Sequence, residues 1–240
     1  KEALARLEEA HSILRETVGP EHTLVSNVLT SKGNCYAQTG RLEEARTAFE
    51  EGLRITRKTH GDDSTEVATV LYNLGNVLGE MGMLDEARAN FEEALGIQRR
   101  MHGERHPGVA AAFGNIALVL WMQGQYDEAL KMHNKALKIK RRVLGEDHQE
   151  VASTLANIDN IYVEQGKHGE SLEMYEEALA VSTRALGTDN EKNAQLLWSM
   201  AISKLKYGDL SGALESARES VRIYTKLGID NQHSQAAAAF

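Results

Sequence analysis

Cysteine is almost missing: the 240-residue chain has one, Cys35. A lone thiol excludes any disulfide within the chain and fits a reducing compartment, hence a cytoplasmic protein. Proline is nearly as scarce, at Pro20 and Pro107 only. No apolar run approaches the ~18 residues that would span a bilayer. There is no signal-like start and no N-x-S/T sequon. Positive charge is in deficit, with a formal net charge of −8. No overall field therefore draws the chain to nucleic acid or to an anionic membrane. Catalytic signatures are missing too: no glycine-rich phosphate loop, no C-x-x-C, no H-E-x-x-H and no G-x-S-x-G. The paired carboxylates Glu43-Glu44 and Glu92-Glu93 recur at matched places and belong to a charged outer face. Neither catalysis nor a cofactor is expected.

What is present is a repeat. A composition 42% hydrophobic and 26% charged, rich in Ala, Glu, Leu and Lys, points to an all-α chain. Glycines at 19, 61, 103, 145 and 187 are each 42 residues apart, and Gly228 comes one residue early. A second series, Gly40, Gly82, Gly124, Gly166 and Gly208, keeps the same spacing. A third column is Ala45, Ala87, Ala129, Ser171 and Ala213. Three columns in phase indicate a repeat array. The spacing predicts five full repeats, at 19–60, 61–102, 103–144, 145–186 and 187–228. Residues 1–18 are the second helix of a partial repeat, and 229–240 begin a further repeat or form a tail. The chain thus starts and stops inside a repeat and is expected to belong to a longer array.

Each repeat holds two helix patterns. First helices (A) are predicted over 22–39, 64–81, 106–123, 148–165 and 190–207. Second helices (B) are predicted over 1–17, 42–59, 84–101, 126–143, 168–185 and 210–226. His22, Ser64, His106, His148 and Asn190 share the position just ahead of the A helices and are expected to cap them. The histidines lie too far apart for a metal site, and none is expected. Cys35 falls in a column with Val77, Val119 and Ile161, which predicts a buried thiol. Lys135, Lys138, Lys140, Arg141 and Arg142 are expected on a solvated outer face near the end of one helix.

The A-helix positions Leu71, Leu74, Gly75 and Leu78 fall within an arc of roughly 100° at helical spacing, so they form the packing face. Some repeats depart from the pattern. Lys32 replaces a leucine, Lys204 an aromatic, His133 the phenylalanine of Phe91, and Ser171 the alanine of Ala87. Asp159 stands in the small, buried column of Gly75 and Ala117. An unpaired carboxylate there is costly, so local loosening, a raised pKa or a partner is expected for it.

Leu71, Leu74, Gly75, Leu78, Ala87, Phe91 and Ala94 fit the pattern of the tetratricopeptide repeat, which the chain resembles over about residues 1–228. Its 42-residue repeats, with Gly145-Glu-Asp-His148 and Val151-Ala152, look like the long kinesin light chain type. The resemblance implies a right-handed α-solenoid of stacked helix-turn-helix repeats with the A helices lining a concave groove. It also implies that Asn73, Asn115 and Asn157 match the second asparagine of the light-chain L-N-N-L-A motif, while Tyr72, Gly114 and Ala156 replace the first. Such repeats occur in many functions, so fold alone does not name a partner.

The arc opposite the packing face is the candidate site. One column there is Ser31, Asn73, Asn115, Asn157 and Ser199; beside it run Asn34, Asn76, Leu118, Asn160 and Ile202. Amides one repeat apart form a ladder of donors and acceptors able to hold an extended peptide backbone. The competing reading is that they only cap neighbours or face water. Tyr72, Trp121 and Trp198 stand toward one edge, as anchors for an apolar side chain or as packing against the adjacent repeat. The neighbouring column, Asn27, Thr69, Ala111, Ser153 and Gln195, has no basic residue to clamp a C-terminal carboxylate. The expected function is a non-catalytic adaptor or scaffold binding a protein or peptide. The alternatives are the sensor domain of a larger nucleotide-dependent switch and a structural subunit of a multi-subunit assembly.

Overall fold

A computed structural model describes residues 2–229. The further repeat or tail expected over 229–240 lies, from residue 230 onward, outside the described residues. Among the described residues there are eleven helices and no strand. The A helices are α2 (Thr23–Gln38), α4 (Thr65–Glu80), α6 (Pro107–Met122), α8 (Gln149–Glu164) and α10 (Glu191–Lys206). The B helices are α1 (Glu2–Thr17), α3 (Leu42–His60), α5 (Leu84–His102), α7 (Tyr126–Leu144), α9 (His168–Leu186) and α11 (Leu210–Leu227). The chain divides into two compact units, at Gln125 and Tyr126.

The helices begin and end for local reasons. All five expected caps are made. His22 Nδ1 accepts from the Leu24 N–H at 3.1 Å, His106 Nδ1 from Gly108 at 3.1 Å and His148 Nδ1 from Glu150 at 3.2 Å. Ser64 Oγ accepts from Val67 at 3.3 Å, and Asn190 Oδ1 from Asn193 at 2.9 Å. Among the described residues every positive φ falls on a glycine, either in the two 42-residue series or at Gly228. Gly103, at φ 80°, is one that ends a B helix, with its N–H on the Arg99 carbonyl. A side chain there would clash with the backbone.

In the N-terminal unit, Val67, Ala68, Leu71, Ala94 and Ile97 pack α4 on α5, with Leu53 and Tyr72 against them. Val25, Leu29 and Ile55 do the same for α2 and α3. The small column works as a seat for a ring. A Cβ added to Gly75 would lie 2.7 Å from the Phe91 ring, and one on Gly33 would lie 2.7 Å from Phe49. Bare A-helix backbone therefore lets the B-helix aromatic close onto it. In the C-terminal unit, Leu137, Val151, Leu155, Ile158, Tyr175, Val181, Leu196 and Met200 are among the residues of one core through α7–α10. Ala194, Leu197, Ile223 and Tyr224 join α10 to α11.

Two expectations change. Cys35 is half-buried, not buried, in a cleft with Ala3, Leu4, Gln38, Thr39 and Arg41. Its column mates Val77, Val119 and Ile161 are buried, whereas beside Cys35 the small Ala3 of α1 leaves the cleft open. The basic cluster is not simply solvated. Lys140 Nζ donates to Thr154 Oγ1 at 3.1 Å and pairs with Glu150 at 3.3 Å, while Arg141 pairs with Glu177. Lys140 and Arg141 thus tie α7 to α8 and α9.

Candidate functional site

Each A helix leaves one narrow stripe open, and the amide columns are on it. On α2, Asn27, Ser31 and Asn34 are exposed; on α4, Thr69 and Asn76 are exposed and Asn73 half-buried. On α6, Asn115 is half-buried and Leu118 exposed. In the C-terminal unit, Asn157 and Asn160 of α8 are exposed, and Ile202 of α10 is exposed beside half-buried Ser199. The spacing of three and four residues places these positions on one helical face.

In the N-terminal unit the stripe is linked across helices. Asn115 Nδ2 on α6 donates to Asn76 Oδ1 on α4 at 3.2 Å. Next to this bond is a notch of about 270 Å³, lined by Gly75, Asn76, Gly79, Glu80, Phe91, Asn115, Leu118, Val119 and Met122. Gly75 and Gly79 are one turn apart and leave the α4 backbone bare. Leu118 and Met122 stand 50% and 46% exposed on the facing wall. Sequence reasoning missed Gly79, Glu80 and Met122. A missing side chain leaves no periodic signal, and Gly79 is matched by no other glycine in its column.

Other candidates are engaged elsewhere. Ser31 Oγ donates to the Asn27 carbonyl of its own helix at 3.0 Å. Tyr72 is half-buried, edge-on to Phe91 with ring centroids 5.4 Å apart. Trp121 and Trp198 are half-buried. The Ser199 hydroxyl turns toward the buried Tyr175 hydroxyl.

Asp159 has the partner expected of it. Its side chain is fully buried, and Ser171 Oγ donates to Oδ1 at 2.5 Å. Burial pushes its carboxyl up to about 6, against the Ser171 and Tyr175 hydroxyls, which pull it down. Tyr175 is itself raised, by burial and then by the Asp159 charge. The two departures in this repeat, at 159 and 171, therefore meet each other, and the buried Tyr175 hydroxyl adds to the pair, though Asp159 Oδ2 has no partner among the described residues. Lys204 is similarly accommodated, with Nζ donating to Ser216 Oγ at 3.3 Å. Lys32 lines a cleft with Glu43, Glu44 and Glu51. Buried His133 is pushed down to about 4 by burial, then by Lys140.

Among the described residues no group of three or more His, Cys, Asp or Glu could hold a metal ion. No described helix is long and apolar enough to cross a membrane.

The tetratricopeptide repeat family model matches in five overlapping segments, at residues 1–58, 24–100, 66–142, 108–181 and 150–226. No curated protein matches the sequence. Among solved structures the fold is similar to BtubC (BKLC) of P. vanneervenii, at TM-score 0.79 and 19% identity over 96% of this chain and 92% of that one. It is also similar to a kinesin-light-chain-type protein of Podosopora anserina with nearly identical TPR-like repeats (TM-score 0.74, 20% identity, 87% and 99% covered). A third is the apo form of the quorum sensor NprR from B. thuringiensis (TM-score 0.71, 18% identity, 98% and 62% covered). The chain belongs to the tetratricopeptide repeat family, with repeats 42 residues long.

Proposed function

We propose that the chain is a non-catalytic protein-interaction module that holds an extended segment of a partner against the open face of its A helices. Members of this family commonly mediate protein–protein interaction. The observation that carries the reading is the row of amides turned outward, with Asn115 bonded to Asn76 across two helices. That bond uses one donor and one acceptor. It leaves the Asn115 carbonyl oxygen and the Asn76 amide hydrogens for a peptide backbone, which offers both kinds of group at every residue. Asn73, Asn157, Asn160 and Asn34 extend the same chemistry within each unit, while Ser31 and Ser199 contribute less because the Asn27 carbonyl and Tyr175 engage their hydroxyls. Tyr72, Trp121 and Trp198 serve as flanking apolar contacts. Adaptor or scaffold work in the cytoplasm suits a chain with one cysteine and an acidic surface.

The test uses peptides selected on the wild-type chain from a displayed random library. Asn115→Ala and Asn157→Ala, alone and together, should each weaken binding about five- to tenfold, the loss of one or two hydrogen bonds. Circular dichroism should stay unchanged. Unaltered binding in the double variant refutes the amide reading.

A further inference from the structure

The notch between α4 and α6 is more specific than a general peptide track. We infer that it selects one unbranched or γ-branched apolar side chain, leucine or methionine, followed closely by a basic residue. This rests on the peptide-binding reading above and names the segment that the N-terminal unit prefers.

Three observations lead there. The first is space. Gly75 has a packing reason to be glycine, since a Cβ would strike Phe91. Gly79 has none: a Cβ there meets nothing within 4 Å. It is the last residue but one of α4, and its missing side chain leaves the end of that helix open beside α6. The notch beside it, of about 270 Å³, has Phe91, Leu118, Val119 and Met122 in its lining. Exposed Leu118 and Met122 gain by covering one apolar side chain.

The second is orientation. The Asn76–Asn115 bond borders the notch, so amide groups able to hold a peptide backbone stand next to the space for its side chain. A strand laid along them would turn alternate side chains toward the protein. The third is charge. Glu80 is exposed, lies on the notch wall, and has no ion-pair partner among the described residues. No lysine or arginine lines the notch. The columns on this face of α2, α4 and α6 also contain no cation. A basic side chain beside the apolar one would meet Glu80, whereas an acidic one would be repelled.

The experiment is selection of a random displayed heptapeptide library on the full chain, followed by binding of synthetic winners to three variants. Winners should be enriched in leucine or methionine within two residues of lysine or arginine. Gly79→Leu fills the notch with a residue that favours helix, and should weaken these peptides about tenfold or more. Glu80→Lys should lower affinity about threefold and shift a repeated selection toward acidic neighbours. Asn115→Ala should weaken binding as already described. Equal affinity of Gly79→Leu and wild type, or winners without the apolar–basic pair, overturns the notch. If Asn115→Ala still weakens those peptides, the amide reading survives alone. A wild-type selection that enriches no peptide, or winners indifferent to both Asn115→Ala and Gly79→Leu, overturns both.

Discussion

Two buried titratable groups in the C-terminal unit act against each other. Asp159 has a folded pKa of about 6, above its ordinary 3.8. Between those values the folded chain keeps a proton that the unfolded chain releases, so stability falls as pH rises through this window. His133 is depressed from 6.5 to about 4. Below pH 6.5 the unfolded imidazole takes a proton that the folded one refuses, so this contribution is lost as pH falls toward 4. The two slopes oppose over nearly the same range, so in the wild type each masks part of the other. Asp159→Asn removes one slope. It should stabilise the chain by about 1–3 kcal/mol at pH 7 and expose a loss of stability on acidification. His133→Phe should show the reverse trend. Urea titrations at several pH values check both, and a flat profile in both variants would contradict the burial argument. Glycine makes a simpler contrast. Gly75→Ala pushes a methyl into the Phe91 ring and should cost about 1–3 kcal/mol. Gly79→Ala meets open space in the last turn of α4 and should stabilise by roughly 0.5 kcal/mol. Thermal melts of the two should move in opposite directions.

At the scale of helices, the caps are the testable parts. Ser64→Ala and His148→Ala each remove the acceptor for one N–H at the start of α4 or α8. Each should cost about 1 kcal/mol, seen as a lower melting temperature with helix content retained at 25 °C. These caps also explain how much of the fold was legible. All eleven helices follow from the columns, because the turn glycines and cap residues act locally, within a few residues of where they stand. The predicted A-helix ranges ran one residue too far at each end, since they included the capping residues His22 or Ser64 themselves. The B helices other than α1 run up to the residue before the positive-φ glycine, as Leu84–His102 does before Gly103. Which face of each A helix is open was likewise legible from the 3.6-residue period. What period cannot supply is the identity of the neighbour. Cys35, Tyr72 and Ser199 sit in recognisable columns, yet their surroundings depend on α1, Phe91 and Tyr175. The notch was invisible for the same reason: it is made by what Gly79 lacks and by what α6 sets opposite.

At the scale of the whole molecule, packing within each of the two units is almost entirely between helices consecutive in sequence, as in α2 with α3, α3 with α4 and α10 with α11 among the described residues. Stability in such a chain is close to a sum of repeat and nearest-neighbour terms, with little held by distant contacts. Elements should then open in the order of how well their own neighbours cover them. α1 has no buried residue, and its packed neighbour is α2. α4 buries eight, from Val67 to Leu78, between α3 and α5. The salt bridge Arg6–Glu2 on α1 is exposed at both ends and adds little. Native-state hydrogen exchange should therefore show α1 amides exchanging at least about tenfold faster than those of α4, through opening that leaves α4 intact. Adding urea well below the unfolding midpoint should speed α4 more steeply than α1, because α4 exposes more surface when it opens. Equal protection in the two helices would mean that the array unfolds as one cooperative body, and that stacking energy outweighs the burial of any single helix.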